Sequence, residues 1–150
     1  MNTKKAGVTL VELIIVLSVL GICLSAALLT LSNRDKTRIE NALEIIRSEM
    51  LYARKISINE SVYIRITFDK RNNGFVIEKK AGIPYSLIKY VQLEGVKVES
   101  VTAPQMIVYF TERGTPSSAC TITVSSQSHV GKITVNVGSG RVKITEIRKK

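Results

Sequence analysis

An apolar stretch of nineteen residues without a single charge, residues 13–31, constrains this chain more than any other feature. It contains no Pro and one Gly, and its only hydroxyl side chains are two serines and one threonine. As an α-helix it would extend roughly 28 Å, about the thickness of the hydrocarbon layer of a bilayer. A buried soluble helix of this length would normally carry a polar stripe. We therefore expect residues 8–31 to form a transmembrane helix.

The flanks of this stretch favour a membrane anchor over an ordinary secretory signal. Lys4 and Lys5 precede it, and a short tip with two lysines usually stays on the cytoplasmic side. A cleaved secretory signal would have an apolar core of about 7–15 residues followed by a small-x-small site. Here the apolar run is longer, and Ser25-Ala26-Ala27 lies inside it. We therefore expect a single-pass protein whose C-terminal part lies outside the cytoplasm.

Glu12 is an acid among apolar residues at the start of this helix. A carboxylate in hydrocarbon costs about 2.5–3.5 kcal/mol on insertion scales, so Glu12 is a candidate functional residue. A free α-amino group made by cleavage before Val8 would be one suitable partner, and in a filament it could come from a neighbouring subunit. An acid that reaches the membrane interface without a partner is the alternative.

The segment Lys4-Lys5-Ala6-Gly7-Val8-Thr9-Leu10-Val11-Glu12-Leu13 resembles the class III signal of type IV prepilins and pseudopilins. The shared features are a short basic leader, Gly, a hydrophobic residue, Thr-Leu and a Glu at the fifth mature position. The resemblance implies that a prepilin peptidase removes residues 1–7 by cutting between Gly7 and Val8, and that it N-methylates Val8. It also implies an assembly role for Glu12. The first mature residue is most often Phe in this family, and here it is Val.

Helical spacing continues beyond the apolar stretch. No Gly or Pro occurs between residues 22 and 73. Apolar residues recur at the spacing of one helix face, namely Ile39, Ala42, Leu43, Ile46, Met50, Ala53 and Ile56. We expect residues 32–57 to form an amphipathic continuation of the same helix, ending near Ser57. Two helices broken near Ser32-Asn33 are the alternative.

The period changes to two after this helix, which predicts β-strands. We expect strands at residues 62–68, 75–78, 89–93, 96–98, 106–110, 119–124, 132–137 and 141–147. One long helix followed by consecutive hairpins predicts an α+β fold, with the helix packed on antiparallel sheets as in pilins. Residues 58–150 would form the globular β domain.

The distal half of the chain also resembles a subfamily. A strand ending in Tyr109-Phe110, the pair Arg113-Gly114, and Gly140-Arg141-Val142-Lys143 are similar to the GspH/FimT group of minor pilins and pseudopilins. The resemblance implies a subunit of a type IV pilus-like filament, with other pilin subunits as partners. Two roles stay open, a competence pilus subunit that contacts DNA and a type II secretion pseudopilus subunit that contacts only proteins. A membrane-anchored binding domain that never polymerises, and keeps its first seven residues, is the third alternative.

The last quarter of the chain is basic, since residues 113–150 contain seven cations and one acid. Arg141 and Lys143 alternate with Val142 and Ile144, so both should lie on one face of a strand. Such a cluster contacts phosphates without reading bases. No aromatic residues interleave with the cations, so base stacking is not expected.

Some FimT-type pilins bind DNA through a C-terminal segment that contains Gly-Arg, and Gly140-Arg141-Val142-Lys143 is similar to it. This resemblance implies that double-stranded DNA is a partner during natural transformation. The candidate DNA-binding residues are Lys132, Arg141, Lys143, Arg148 and Lys149. A solvated strand face without a ligand is the alternative.

The sequence contains no recognisable catalytic set, phosphate loop or cluster of metal ligands, so we expect neither an enzyme nor a cofactor. His129 lies in a Ser-rich segment and is expected to be a surface loop residue. Cys23 and Cys120 are expected to be unpaired small hydrophobic residues.

Overall fold

The computed structural model describes residues 9–82, 84–138 and 140–150, and within the helix it leaves out the side chains of residues 26–33. The chain divides after Arg34 into two compact units, which we describe separately. One helix, α1, spans Leu10–Asn59 and therefore has no break near Ser32-Asn33. Its observed end is two residues beyond the predicted end, Ser57. Within the described residues, no helix is long and apolar enough to cross a membrane.

The described part of the N-terminal unit is a helix with apolar side chains on all sides. Leu13, Ile14 and Leu17 are all more than half exposed in this single chain. The hydroxyl groups of Ser18 and Ser25 donate hydrogen bonds to the backbone carbonyls of Ile14 and Ile22, each at 2.8 Å. The polar groups of these two serines are thereby satisfied within the helix, as a lipid or protein environment would require.

The C-terminal unit contains the second half of α1 and two antiparallel sheets of four strands each. The strands are β1 Ile64–Asp69, β2 Gly74–Lys79, β3 Ser86–Gln92, β4 Lys97–Val101, β5 Ile107–Phe110, β6 Cys120–Ser125, β7 His129–Val135 and β8 Val142–Lys149. A short 3₁₀ helix, Pro104–Met106, precedes β5. The order is β3-β2-β1-β5 in the first sheet and β4-β6-β7-β8 in the second, so β8 is an edge strand.

The core of this unit forms between α1 and the inner faces of both sheets. The predicted apolar face of α1 is buried, and Ile39, Leu43 and Ile46 have no exposed surface. Fully burying an aliphatic side chain of this size contributes about 1.5–3 kcal/mol. Gly131 allows β7 to approach the helix closely, because a Cβ atom there would lie 2.6 Å from Ile39 Cγ2 and 2.7 Å from Leu43 Cδ1.

Candidate functional site

The N-terminal motif begins outside the described residues, since Gly7 and Val8 are not among them. The described helix begins directly after Thr9, whose Oγ1 accepts a hydrogen bond from the backbone N–H of Glu12 at 3.3 Å. Thr9 is therefore the N-cap of α1. Glu12 lies three residues later, in the first turn, where an acid interacts favourably with the positive end of the helix dipole.

Thr9 and Glu12 have the Thr-x-x-Glu spacing of a helix capping box. This spacing is a signal in the sequence that could have indicated the cap before the fold was known. The Glu12 side chain is exposed in the single chain. Both residues thus stabilise the first turn of α1, and the Glu12 carboxylate remains accessible to a partner.

The basic C-terminal segment forms the β7–β8 hairpin. Gly140 N–H donates to the carbonyl of Asn136, and Asn136 N–H donates to the carbonyl of Arg141, both at 3.0 Å. Arg141 and Lys143 are exposed, whereas Val142 between them is buried. The structure therefore brings these two candidate residues together at the start of the edge strand.

A β-bulge changes the surroundings of the other candidate cations. Lys132 pairs with Glu146 and Ile133 with Ile144, so Thr145 is the extra residue in β8. Lys132 Nζ lies 2.6 Å from one carboxylate oxygen of Glu146, and Arg148 Nε lies 3.2 Å from the other. The hydrogen bond from Lys132 lowers the pKa of Glu146 below its ordinary value, and the charges of Lys132 and Arg148 lower it further.

Lys149 lies at the opposite end of β8 from Arg141. Its partner in the ladder is His129, at the start of β7. Seven residues of extended strand lie between Lys149 and Arg141, which places their backbones roughly 26 Å apart. The five candidate residues are therefore divided into three places: the hairpin turn, the ion pairs around Glu146, and the end of the strand.

One cation of α1 lies beside the hairpin turn. Arg47, together with Arg141, Val142, Lys143 and Ile144, lines an open cavity of about 430 Å³. The Arg47 guanidinium also contacts Glu44, one turn earlier, at 3.2 Å. No spacing rule links Arg47 to residues 141–144, so only the tertiary fold could show this proximity.

Both glycines of the distal motifs pack against another residue of α1, Arg54. Arg54 Nε donates to the carbonyl of Gly114 at 3.1 Å. A Cβ atom on Gly140 would lie 3.1 Å from Arg54 Nε and 3.2 Å from the carbonyl oxygen of Gly114. Gly114 and Gly140 both have positive φ, 72° and 59°, which favours glycine. The two distal motifs therefore meet around one half-buried arginine.

His129 is not the surface loop residue that we expected, because it begins β7 and is buried. Its neighbour Ser128 donates its hydroxyl to Asp35 Oδ2 at 2.8 Å, and that oxygen also accepts from Ser128 N–H at 2.8 Å. Since the Ser128 proton is directed at Asp35, His129 Nδ1, 2.9 Å from Ser128 Oγ, must be the protonated nitrogen. The group connects α1 to the β6–β7 turn.

Both cysteines are free; Cys23 is exposed and Cys120 is buried. Burial raises the pKa of the Cys120 thiol to about 11, which keeps it protonated at neutral pH. Within the part of the chain that the structure describes, no group of three or more His, Cys, Asp or Glu side chains could hold a metal ion.

One long helix, capped at Thr9 and packed on two antiparallel sheets, defines an α+β fold of the pilin type. Residues 2–28 match the prokaryotic N-terminal methylation motif. The chain is 29% identical over 145 residues to competence protein ComGD of Bacillus subtilis (strain 168), covering 96% of this chain and 95% of that protein.

Two solved structures resemble the fold. The minor pseudopilin EpsH from the type 2 secretion system of Vibrio cholerae has a TM-score of 0.60 and 10% identity, covering 72% of this chain and 96% of that one. The type IV minor pilin FimU of Pseudomonas aeruginosa has a TM-score of 0.59 and 17% identity, covering 73% of this chain and 90% of that one. The predicted α+β fold and the resemblance to type IV prepilins and GspH/FimT minor pilins are confirmed.

Proposed function

We propose that this chain is a minor, non-enzymatic subunit of a type IV pilus-like filament, made from a membrane-anchored precursor. A prepilin peptidase removes residues 1–7 and methylates Val8, and residues 8–31 anchor the subunit in the cell membrane until assembly. Residues 32–57 and 58–150 then form the domain outside the cytoplasm. The main support is that the methylation motif at residues 2–28 overlaps the start of a 50-residue helix, and that the second half of this helix is buried in the domain core.

Processing is tested by mass spectrometry of the protein isolated from cell membranes. The expected N-terminus is methylated Val8, and a Gly7→Val variant should retain Met1 because its scissile bond lacks the glycine. An intact N-terminus in the unaltered protein would instead support the anchored binding domain that never polymerises.

We assign Glu12 a role in assembly, where its carboxylate pairs with the new α-amino group of a neighbouring subunit. Its exposure in the single chain leaves it accessible to that amine. The Glu12→Gln variant should insert into membranes normally but enter filaments several-fold less, and co-purification with other pilin-like chains measures this. Thr9→Ala, which removes the cap and keeps the acid, is the matched control. Equal loss in both variants would mean that helix capping accounts for the motif.

Within this class, we propose that the filament serves DNA uptake and that the subunit contacts double-stranded DNA through Arg141 and Lys143. The likeness to a competence protein extends over nearly the whole of both chains, which supports this role. Both side chains are exposed at the start of an edge strand. The contact would be to the phosphate backbone and independent of base sequence.

The DNA role is tested with the mature full-length protein in neutral detergent, by fluorescence anisotropy of a labelled duplex over a salt series. Arg141→Ala combined with Lys143→Ala should weaken binding to all sequences and reduce the salt slope by about two. Lys70→Ala with Arg71→Ala removes the same charge from an exposed turn and should keep that slope. Absence of binding by the unaltered protein at low salt would exclude the DNA role.

A pseudopilus subunit that contacts only proteins is the second candidate. It is supported by the fold, which is as similar to the minor pseudopilin EpsH as to the minor pilin FimU. It predicts processing at Gly7 and co-purification with other pilin-like chains, without DNA binding. The two candidates therefore differ in one measurement, the binding of duplex DNA.

A further inference from the structure

A groove lies beside the β7–β8 turn, between α1 and the edge strand β8. Its lining is Arg47 from the helix and residues 141–144 from the hairpin, and its volume is about 430 Å³. Three of the five lining residues are cationic, and no acid is among the lining residues that the structure describes. A surface of this composition attracts anions.

We propose that this groove binds the phosphodiester backbone of DNA, with Arg47 of α1 as a third ligand beside Arg141 and Lys143. The inference rests on the proposed DNA role and extends it to a residue 94 positions away from Arg141 in the sequence. The remaining lining residues, Val142 and Ile144, are aliphatic and offer no ring for base stacking. Guanidinium groups match the geometry of phosphate oxygens, so two arginines and a lysine suit a backbone phosphate.

The contact that now holds Arg47 is weak enough to be exchanged for a phosphate. Arg47 and Glu44 are both about half exposed, and their separation is 3.2 Å. Ion pairs between exposed side chains contribute little to stability. A phosphate in the groove would therefore compete with Glu44 for the Arg47 guanidinium.

The cations farther along the hairpin lie beside acids. Lys132 and Arg148 share Glu146, which neutralises part of their charge. Lys150 contacts Glu99 at 3.5 Å and the carbonyl of Ser126 at 3.1 Å. The lining of the groove contains three cations and no acid among its described residues, so we place the phosphate there rather than beside Glu146 or Glu99.

Arg54 determines where the hairpin turn lies relative to α1. Its guanidinium is within 3.1 Å of the position where Gly140 would carry a side chain, and Nε holds the carbonyl of Gly114. Arg47 lies two helical turns earlier on the same helix face. The same helix thus fixes the turn that carries Arg141 and supplies the opposite wall of the groove.

The first test is the Arg47→Ala variant of the mature full-length protein, measured by the same anisotropy titration. We expect affinity for duplex DNA to fall about five- to tenfold at low salt and the salt slope to decrease by about one, as for one lost phosphate contact. Lys36→Ala is the matched control, because Lys36 is also an exposed cation of α1 paired with an acid of the same helix, Glu40. It does not line the groove, so its salt slope should equal that of the unaltered protein.

The second test removes the competing acid. Glu44→Gln should strengthen DNA binding two- to fivefold because Arg47 is released, whereas Glu40→Gln should have a smaller effect through net charge alone. A purely structural role of the Arg47–Glu44 pair predicts that Glu44→Gln gains no more affinity than Glu40→Gln.

The outcomes separate this inference from the DNA role itself. If Arg141→Ala with Lys143→Ala weakens binding but Arg47→Ala behaves like Lys36→Ala, the groove proposal is wrong and the DNA role stands. If the unaltered protein binds no DNA, both are wrong. A fall in affinity for Arg47→Ala together with a gain for Glu44→Gln supports the groove.

Discussion

The two halves of α1 have the same backbone geometry and different surroundings. In the first half, apolar side chains such as Leu13 and Leu17 are exposed all around the helix. In the second half, the apolar residues form one stripe, and Ile39, Leu43 and Ile46 are completely buried against the sheets. The second half therefore stabilises the domain, whereas the first half has apolar surface that only a membrane or other subunits could cover.

This difference separates the folding of the subunit from its assembly. A substitution in the second half should change the free energy of unfolding of the domain. A substitution in the first half should leave domain stability unchanged. All five tyrosines lie between residues 52 and 109, so their near-ultraviolet circular dichroism reports on the C-terminal unit alone.

The largest expected contrast is between Leu43→Ala and Leu17→Ala. Leu43 is completely buried, and truncating such a leucine costs about 2–5 kcal/mol through lost burial and the cavity that remains. Leu17 is 59% exposed and is not among the residues of the buried core. Thermal unfolding of the full-length protein in detergent, followed through the tyrosine signal, should show a large decrease in Tm for Leu43→Ala and none for Leu17→Ala. Equal effects would mean that the first half of α1 also supports the domain.

The glycines of the two regions provide a second, smaller contrast. A Cβ atom at Gly131 would lie 2.6 Å from Ile39, so Gly131→Ala should push β7 away from α1 and cost about 1–3 kcal/mol. At Gly21, apart from the adjacent residues and the backbone of the helix itself, no described atom lies within 4 Å of such a Cβ atom. Gly21→Ala should leave the tyrosine transition unchanged, although alanine improves the local helix propensity by about 1 kcal/mol. The same unfolding experiment measures both, and a stable Gly131→Ala variant would contradict the close packing.

The helix and the strands could be predicted from the sequence, because the spacing of their apolar residues can be recognised within each segment. The apolar stripe from Ile39 to Ala53 and the alternation in β1 need no knowledge of partners. Several features of the candidate site depend on pairing. The bulge at Thr145 places Glu146 opposite Lys132, and strand parity alone would not show this. Arg54 donates a hydrogen bond to the carbonyl of Gly114, 60 residues later in the sequence. The contact of Gly114 with α1 could therefore be recognised only from the fold.

His129 also shows that local sequence cannot predict tertiary contacts, because here the sequence suggested exposure and the residue is buried. Its Ser-rich neighbourhood is typical of an exposed turn, and a turn is present at residues 126–128, directly before β7. The histidine is nevertheless buried, because Asp35 on α1 accepts the hydrogen bonds of Ser126 and Ser128. The Ser-rich sequence is therefore consistent with the turn, but the expectation that His129 is exposed was wrong.

The third prediction concerns Asp35, in the second half of α1, and the dependence of domain stability on pH. Hydrogen bonds from Ser128 and Ser126, and the charge of Arg38, lower its pKa below the ordinary value of 3.8 although burial opposes them. A carboxyl whose pKa is lower in the folded state stabilises the fold above its unfolded pKa. This contribution decreases as the pH falls from about 5 through the lowered folded value.

We expect Asp35→Asn to be less stable than the unaltered protein at pH 7, because the amide loses the charge that these donors stabilise. As the pH falls below the lowered folded pKa, the two Tm values should converge, since the unaltered carboxyl then becomes protonated. Other acids with lowered pKa values, such as Asp69, occur in both proteins and largely cancel in the difference. Glu40→Gln removes an exposed acid from the same helix and controls for net charge. A Tm difference that stays constant from pH 7 to pH 2 would show that Asp35 acts only through packing, and that the junction between α1 and the β6–β7 turn does not depend on its charge.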